Sequence, residues 1–158
     1  MAIQPGDQIP ETTLMHMGAD GPEPVKSTDY FKGRRVALFA VPGAFTPTCS
    51  AKHLPGFVDH LDALKSKVDA VACTSVNDVF VMDAWGKEAG AEGIDMLADG
   101  NGEFARALGL EMDASGFGMG ERSQRYSMVV DDGTVESVHV EQGGEFKVSS
   151  AEYMLERM

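Results

Sequence analysis

The sequence contains few cysteines, and their placement excludes several kinds of protein. Among 158 residues there are two, Cys49 and Cys73. Two thiols cannot form a disulfide framework for a chain of this length, and these two do not make a C-x-x-C pair. The four scattered histidines do not combine with them into a zinc cluster. We therefore expect no metal and no cofactor, and any thiol chemistry must come from individual cysteines.

Long apolar runs and an excess of basic residues are also missing. No run approaches the roughly 20 residues that span a bilayer, and Met1 to Glu11 lack the basic flank and apolar stretch of a signal peptide. The formal net charge is -12, and such a surface repels nucleic acid and anionic membranes. The sequence predicts one cytoplasmic domain over residues 1–158, with neither nucleic acid nor membrane as a partner.

Strands are predicted where short apolar runs are bounded by turn residues. Arg35–Val41 and Val68–Ser75 are continuous apolar runs, which are typical of strands buried on both faces. Asp131-Asp132-Gly133 is expected to form a hairpin turn between two antiparallel strands. The other predicted strands are Thr12–Met17, followed by a turn at Asp20-Gly21-Pro22, then Asp95–Ala98, Tyr126–Val130 and Val135–Val140.

Helices are predicted between these strands. They cover Pro47–Leu64, interrupted at Pro55-Gly56, then Asn77–Ala89, Glu103–Leu108 and Ser150–Met158, with a glycine-rich loop at Gly116–Arg122. Asn77 or Asp78 is expected to cap the second helix, and Gly109 to close the third. The order of elements predicts an α/β fold with a mixed central sheet flanked by helices. It fits a thioredoxin-like core, although the pattern alone leaves other α/β folds open.

Cys49 occupies the segment with the strongest chemical signal. A buried strand ends at Pro42, and a helix is expected to start with Thr46 as its N-cap and Pro47 as its first residue. Cys49 would lie in the first turn, where unpaired N–H groups and the helix dipole favour a thiolate. A free cysteine is more often a small buried apolar residue. The strand-to-helix turn favours the reactive alternative, because sites in open α/β sheets form at strand ends.

The same segment resembles a known family. Pro42-x-x-x-Thr46-x-x-Cys49 resembles the peroxiredoxin active-site signature, and PGAFTPTCSAKHLPGF resembles the peroxiredoxin 5 type, also called atypical or type II. The resemblance continues through VACTSVNDVFVMDAWGK, RYSMVV and Asp132-Gly133, so it spans almost the whole chain. It implies a thioredoxin-like fold and a thiol peroxidase that reduces hydrogen peroxide and organic hydroperoxides.

The resemblance also implies roles for individual residues. Cys49 would be the peroxidatic nucleophile, Thr46 would hydrogen-bond the peroxide, Pro42 would shield the pocket, and Arg125 would fold back onto the thiolate. These roles make physical sense, because the oxygen leaving in peroxide cleavage carries negative charge and needs donors placed in advance. Without the resemblance, Arg125 would be read as a surface charge and Thr46 as a helix cap only. Further candidates for contacting the substrate are Phe45, Thr48 and Phe117.

His53 follows Cys49 by four residues and is expected on roughly the same helix face. A Cys–His pair would suggest a thiol hydrolase or a general base. A lone histidine is more often a structural hydrogen-bonding residue, and Pro55 is expected to kink the helix here. We favour a supporting role for His53.

No partner for Cys49 is evident in its own chain. Many members of the resembled group carry a second cysteine near the C-terminus, where this sequence has Ser149 and Ser150. Cys73 lies in a predicted central strand and is expected to be a core residue. The sequence therefore predicts a one-cysteine cycle completed by an external thiol, glutathione with glutaredoxin or else thioredoxin.

The resemblance further implies a homodimer formed near the active-site loop. Aromatic candidates for that surface or for the pocket are Phe45, Phe80, Trp85 and Phe117. Two other functions remain as alternatives at this point. One is a thioredoxin-like binding or chaperone module without turnover, and the other is the Cys–His hydrolase.

Overall fold

The computed structural model describes residues 2–158, whose strands form one large sheet and one small hairpin. The strands are β1 (Thr13–Gly18), β2 (Gly21–Lys26), β3 (Arg35–Ala40), β4 (Ala70–Ser75), β5 (Asp95–Ala98), β6 (Glu111–Asp113), β7 (Glu121–Ser123), β8 (Tyr126–Asp131) and β9 (Thr134–Val140). The large sheet has the order β2-β1-β5-β4-β3-β8-β9, and β6 pairs with β7. Strands β3, β4 and β5 run parallel, whereas the outer pairs are antiparallel. The predicted mixed sheet is confirmed.

Helices cover both faces of this sheet. They are α1 (Ser27–Phe31), α2 (Leu54–Asp59), α3 (Leu61–Lys65), α4 (Val79–Glu88), α5 (Glu103–Leu108) and α6 (Ala151–Glu156), with a π-helical turn at Cys49–His53 and a 3-10 turn at Ser115–Phe117. Asp78 caps α4 by accepting the Val81 N–H, as predicted. None of the helices in residues 2–158 has the length and apolar character needed to cross a bilayer.

The central strand β3 shows why its sequence is continuously apolar. Ala37 and Phe39 face the core layer that contains Cys49 and the apolar side chains of α2, α4 and α6. Val36 and Leu38 face the opposite layer, which includes side chains of α1 and α5. Because both faces are buried from Val36 to Ala40, all the side chains of this part of the strand are apolar.

Four parts of the sequence prediction needed correction. The edge strand β2 was not predicted, because Gly21–Lys26 contains two prolines, which an edge strand tolerates. Helix α1 was also missed, as was the hairpin of β6 and β7, whose strands lie at either end of the predicted glycine-rich loop. The long helix is not interrupted at Pro55-Gly56: it widens into the π-helical turn just before Pro55 and breaks at His60.

Candidate active site

Cys49 lies where β3 leads into the first helical segment. Pro47 and Thr48 begin the helix, and the π-helical turn follows at once, with the Leu54 N–H donating to the Cys49 carbonyl five residues earlier. The next residue, Pro55, has no N–H to donate, so the helix widens just before it. Wide turns of this kind are frequent at functional sites. The helix is therefore irregular near Pro55, as predicted, and the irregular turn begins at Cys49. The Cys49 side chain is fully buried.

Thr46 precedes the helix as predicted, but its hydroxyl is not used as a cap. The Ser50 N–H donates to the Thr46 carbonyl at 2.9 Å, which begins the helix. The Thr46 hydroxyl donates to the Gly43 carbonyl at 2.7 Å. A hydroxyl has one hydrogen and two lone pairs, so the Thr46 oxygen remains able to accept a hydrogen bond from a bound peroxide.

The loop between β3 and the helix is held in a specific shape. Asn77, just after β4, accepts the Ala44 N–H at 2.9 Å and the Ser75 hydroxyl at 2.8 Å. Phe45 has φ 64, a left-handed conformation that is uncommon for a residue with a large side chain. A Cβ at Gly43 would lie 3.0 Å from Met119 Cε and 3.1 Å from Thr46 Cγ2, so a larger residue here would push on both side chains. Such locally strained loops cluster at functional sites.

Arg125 reaches Cys49 because of the sheet register. Strands β3 and β8 are antiparallel with Ala40 opposite Tyr126, so Arg125 lies beside the end of β3, where the Cys49 loop starts. Its Nη2 donates to Cys49 Sγ at 3.0 Å. Its Nη1 is 2.8 Å from His53 Nδ1. The guanidinium thus places a permanent positive charge and a rigid donor against the sulfur.

His53 supports Arg125 rather than pairing with Cys49. Its Nε2 is 2.9 Å from the Ser149 carbonyl, which can only accept, so Nε2 carries the hydrogen and Nδ1 presents a lone pair to Arg125. Burial, and secondarily the nearby Arg125 charge, lowers the pKa of His53 to about 3, against the opposing effect of the Ser149 carbonyl. The imidazole is neutral at pH 7, and its Nδ1 lone pair accepts the hydrogen bond from Arg125, so it is not available to Cys49. This geometry does not fit the Cys–His hydrolase.

The buried neutral His53 predicts acid sensitivity of the fold. Below its ordinary pKa of 6.5, the unfolded chain binds a proton at His53 that the folded chain does not bind until pH falls to about 3. The free energy of unfolding therefore falls as pH drops through this window, by at most about 1.4 kcal/mol per pH unit from this group. Urea unfolding between about pH 7 and about pH 5 measures the slope.

A His53→Gln variant is expected to lose less stability than wild type over that pH range, since glutamine does not titrate. Gln4→Ala, at an exposed position without a titratable side chain, is the control and should keep the wild-type slope. Equal slopes for wild type and His53→Gln would contradict the prediction.

Cys73 and Trp85 are both core residues. Cys73 lies in β4, opposite Phe39 and Met96 in the neighbouring strands, and it is fully buried as predicted. Burial raises the pKa of the Cys73 thiol. Trp85 is also buried, which corrects its inclusion among residues of a dimer surface, and its indole N–H donates to the Ser50 hydroxyl at 3.0 Å.

The other residues that the sequence suggested for the pocket or the dimer surface differ in their exposure. Pro42 and Thr48 are half-buried in the segment that carries Cys49. Phe45, in the same loop, is 51% exposed, whereas Phe80 is 63% and Phe117 87% exposed. Phe117 lies on the 3-10 turn at the surface, and its assignment as a substrate contact stays a prediction.

Several residues that brace the site were not singled out from the sequence. Arg122 donates to the Val76 and Met119 carbonyls, both at 2.9 Å, and so fixes the loop that touches Gly43. The Phe146 ring lies 5.1 Å from the His53 ring. Within residues 2–158, no three His, Cys, Asp or Glu side chains are grouped so that they could hold a metal ion.

Comparison with known proteins places this geometry in a family. The Redoxin family model matches residues 4–155. A rice (Oryza sativa subsp. japonica) protein, Peroxiredoxin-2E-2, chloroplastic, is 50% identical over 163 residues, covering 99% of this chain and 72% of the relative. Among solved structures, reduced Prx3 from Vibrio vulnificus in complex with H₂O₂ is 51% identical with a TM-score of 0.96, and 99% of each chain is covered. Peroxiredoxin 5 from Alvinella pompejana is 37% identical with a TM-score of 0.85, and 99% of each chain is covered.

These likenesses confirm two of the sequence predictions. The fold is thioredoxin-like, and the likeness to peroxiredoxins extends over nearly the whole chain. The narrower assignment to the peroxiredoxin 5 type has weaker support and stays a prediction. The chain belongs to the peroxiredoxin family of thiol peroxidases.

Proposed function

We propose that this peroxiredoxin reduces hydrogen peroxide and organic hydroperoxides at Cys49 by a one-cysteine cycle that an external thiol completes. The observation that carries the proposal is the 3.0 Å contact of Arg125 Nη2 with the Cys49 sulfur. The other cysteine of the chain, Cys73, lies within strand β4. Hydrogen peroxide as a substrate is supported by the Vibrio vulnificus relative, which was crystallised with it.

The first step is attack by the Cys49 thiolate on one peroxide oxygen. An S–O bond forms as the O–O bond breaks, so the sulfur becomes a sulfenic acid and the peroxide leaves as an alcohol or water after gaining a proton. Arg125 stabilises the thiolate and the charge that develops on the leaving oxygen, because its donors are in place beforehand. The Thr46 oxygen accepts from the peroxide hydroxyl, and half-buried Pro42 limits water in the pocket.

The second step needs a thiol from outside the chain. Burial raises the pKa of Cys73, which keeps it as a thiol, and a thiol is a poor nucleophile compared with a thiolate. The position of Cys73 inside the β4 ladder also fixes its backbone. One external thiol attacks the sulfenic acid, forming a mixed disulfide and releasing water. A second thiol then attacks that disulfide and regenerates Cys49.

Glutathione, with glutaredoxin, is the reductant that we favour over thioredoxin. The Cys49 sulfur is fully buried, so a tripeptide reaches it with less rearrangement of the loop than a folded protein does. Lys52, three residues after Cys49, is exposed and offers a positive charge to an anionic thiol. Thioredoxin is the alternative that the same experiment distinguishes.

A Cys73→Ser variant tests the cycle. We expect it to keep turnover with glutathione and glutaredoxin, because the proposal gives Cys73 no catalytic step. Mass spectrometry of peroxide-treated wild type with limiting glutathione should find the tripeptide disulfide-bonded to Cys49. A Cys49–Cys73 disulfide, together with loss of turnover in Cys73→Ser, would overturn the one-cysteine cycle. Turnover with thioredoxin but not with glutathione would replace the reductant and leave the cycle intact.

We also propose that the protein forms a homodimer through a surface beside the active-site loop. Phe45, Phe80 and Phe117 expose 51–87% of their surface, and exposed aromatic rings are enriched at protein–protein interfaces. Sedimentation equilibrium tests this proposal. A species of twice the 16.9 kDa chain mass supports it, and a monomer at every concentration contradicts it.

A further inference from the structure

Glu141 is a buried carboxylate that the chemistry above does not use. Its side chain follows β9 and is 8% exposed. One carboxylate oxygen, Oε2, accepts three consecutive backbone N–H groups at 2.8 Å, those of Lys147, Val148 and Ser149. It also accepts the Ser149 hydroxyl at 2.6 Å. Burying a carboxylate is costly unless donors surround it, so these contacts hold the following loop in one conformation.

The loop that Glu141 holds lies against the active site. It turns the Ser149 carbonyl toward His53 Nε2, at 2.9 Å, and Ser149 is fully buried there. The Phe146 ring of the same loop contacts the His53 ring at 5.1 Å. The backbone of Glu141 also contacts Arg125, because the Glu141 N–H donates to the Arg125 carbonyl at 2.9 Å. Glu141 therefore fixes both the backbone of Arg125 and the partner of His53.

These contacts form a continuous chain from Glu141 to the sulfur. Arg125 Nη1 donates to His53 Nδ1, which requires the hydrogen of the neutral imidazole to be on Nε2. The Ser149 carbonyl selects that tautomer, because it accepts from Nε2. In the other tautomer, an Nδ1–H would face an Arg125 N–H, and the contact that orients the guanidinium on Cys49 would be lost.

We propose that Glu141 is a positioning residue for peroxide reduction. By holding Ser149 against His53, it fixes the imidazole tautomer and thereby the orientation of Arg125 on the Cys49 sulfur. The inference rests on the proposed peroxidase chemistry at Cys49, but the tautomer that it assigns to His53 can be measured without turnover.

The first test is Glu141→Gln, compared with Glu145→Gln. Glutamine keeps the size of Glu141 and removes the charge that strengthens its hydrogen bonds, and we expect about tenfold slower oxidation of Cys49 by hydrogen peroxide. The pH at which the rate of Cys49 oxidation is half its maximum should rise. Glu145 lies in the same loop and pairs with exposed Lys147, so its variant should keep the wild-type rate and profile.

The second test separates positioning from general loosening of the fold. Imidazole ¹⁵N shifts of His53 should report the Nε2–H tautomer in wild type and a mixture in Glu141→Gln. In a His53→Gln background, Glu141→Gln should cost little further rate, because its effect passes through His53. Ser149→Ala removes one of the four donors to Glu141 and should give a smaller change in the same direction. It replaces Glu141→Gln in these tests if that variant does not fold.

Different failures have different meanings. An unchanged His53 tautomer and pH profile in Glu141→Gln, or effects that multiply fully with His53→Gln, would overturn the positioning role. If wild type itself fails to consume peroxide, the proposed function is wrong, while the tautomer measurement still tests whether Glu141 orders His53.

Discussion

Replacing Cys49 by serine is expected to abolish fast peroxide consumption. The serine hydroxyl is nearly the same size but does not ionise at neutral pH, so the attacking thiolate is lost. Because Arg125 Nη2 donates to the sulfur, it can donate to the serine oxygen instead, and the fold should tolerate this small change. The measurement is peroxide remaining after mixing with stoichiometric protein, together with trapping of sulfenic acid by dimedone and mass spectrometry.

Cys73→Ser is the matched control for this experiment. It removes the other thiol from the same core layer and should leave peroxide consumption and the sulfenic adduct unchanged in the first turnover. Fast consumption by Cys49→Ser would show that the nucleophile lies elsewhere and would reject the assignment of the site.

Changing Arg125 is expected to have the second largest effect. Two nitrogens of its guanidinium are used at once, Nη2 on Cys49 Sγ at 3.0 Å and Nη1 on His53 Nδ1 at 2.8 Å. Removal of a preorganised transition-state donor costs about 10²–10³ in rate, so Arg125→Ala should slow Cys49 oxidation by about that factor. Arg125→Lys keeps the charge and loses the planar fork, and we expect it to recover only part of the loss.

Rapid quenching with mass spectrometry measures these rates at several peroxide concentrations. Arg106→Lys is the control, because Arg106 forms an exposed ion pair with Glu121 and should behave as wild type. If Arg125→Lys reacts as fast as wild type, charge alone suffices and the geometry of the fork has no role. A wild-type rate in Arg125→Ala would show that Arg125 has no role in the reaction.

Local signals in the sequence predicted much of the fold. The bounds of α5 and β5 match their predictions, because Gly109 ends the helix in a left-handed conformation and Asp99-Gly100 ends the short strand. The hairpin at Asp132-Gly133 was predicted for a similar reason, since both residues have positive φ. Features that depend on tertiary context were missed. Strand β2 carries prolines that only its edge position makes acceptable.

The candidate site was predictable only in part. The turn around Cys49 can be placed from Pro42, Thr46 and Pro47, which are close together along the chain. The pairing of Arg125 with His53 joins residues 72 positions apart, and the contact of His53 with Ser149 joins residues 96 apart. No local pattern encodes such contacts, because they arise from sheet register and from the loop that Glu141 holds.

The hydrogen bond between Trp85 and Ser50 has a practical consequence. Trp85 is the single tryptophan of the chain, and its buried indole donates to the residue directly after Cys49. We expect conversion of the sulfur to a bulkier oxidised form to disturb this turn and the polarity around the indole. Trp85 fluorescence should therefore follow oxidation and reduction of Cys49 in real time without an added dye.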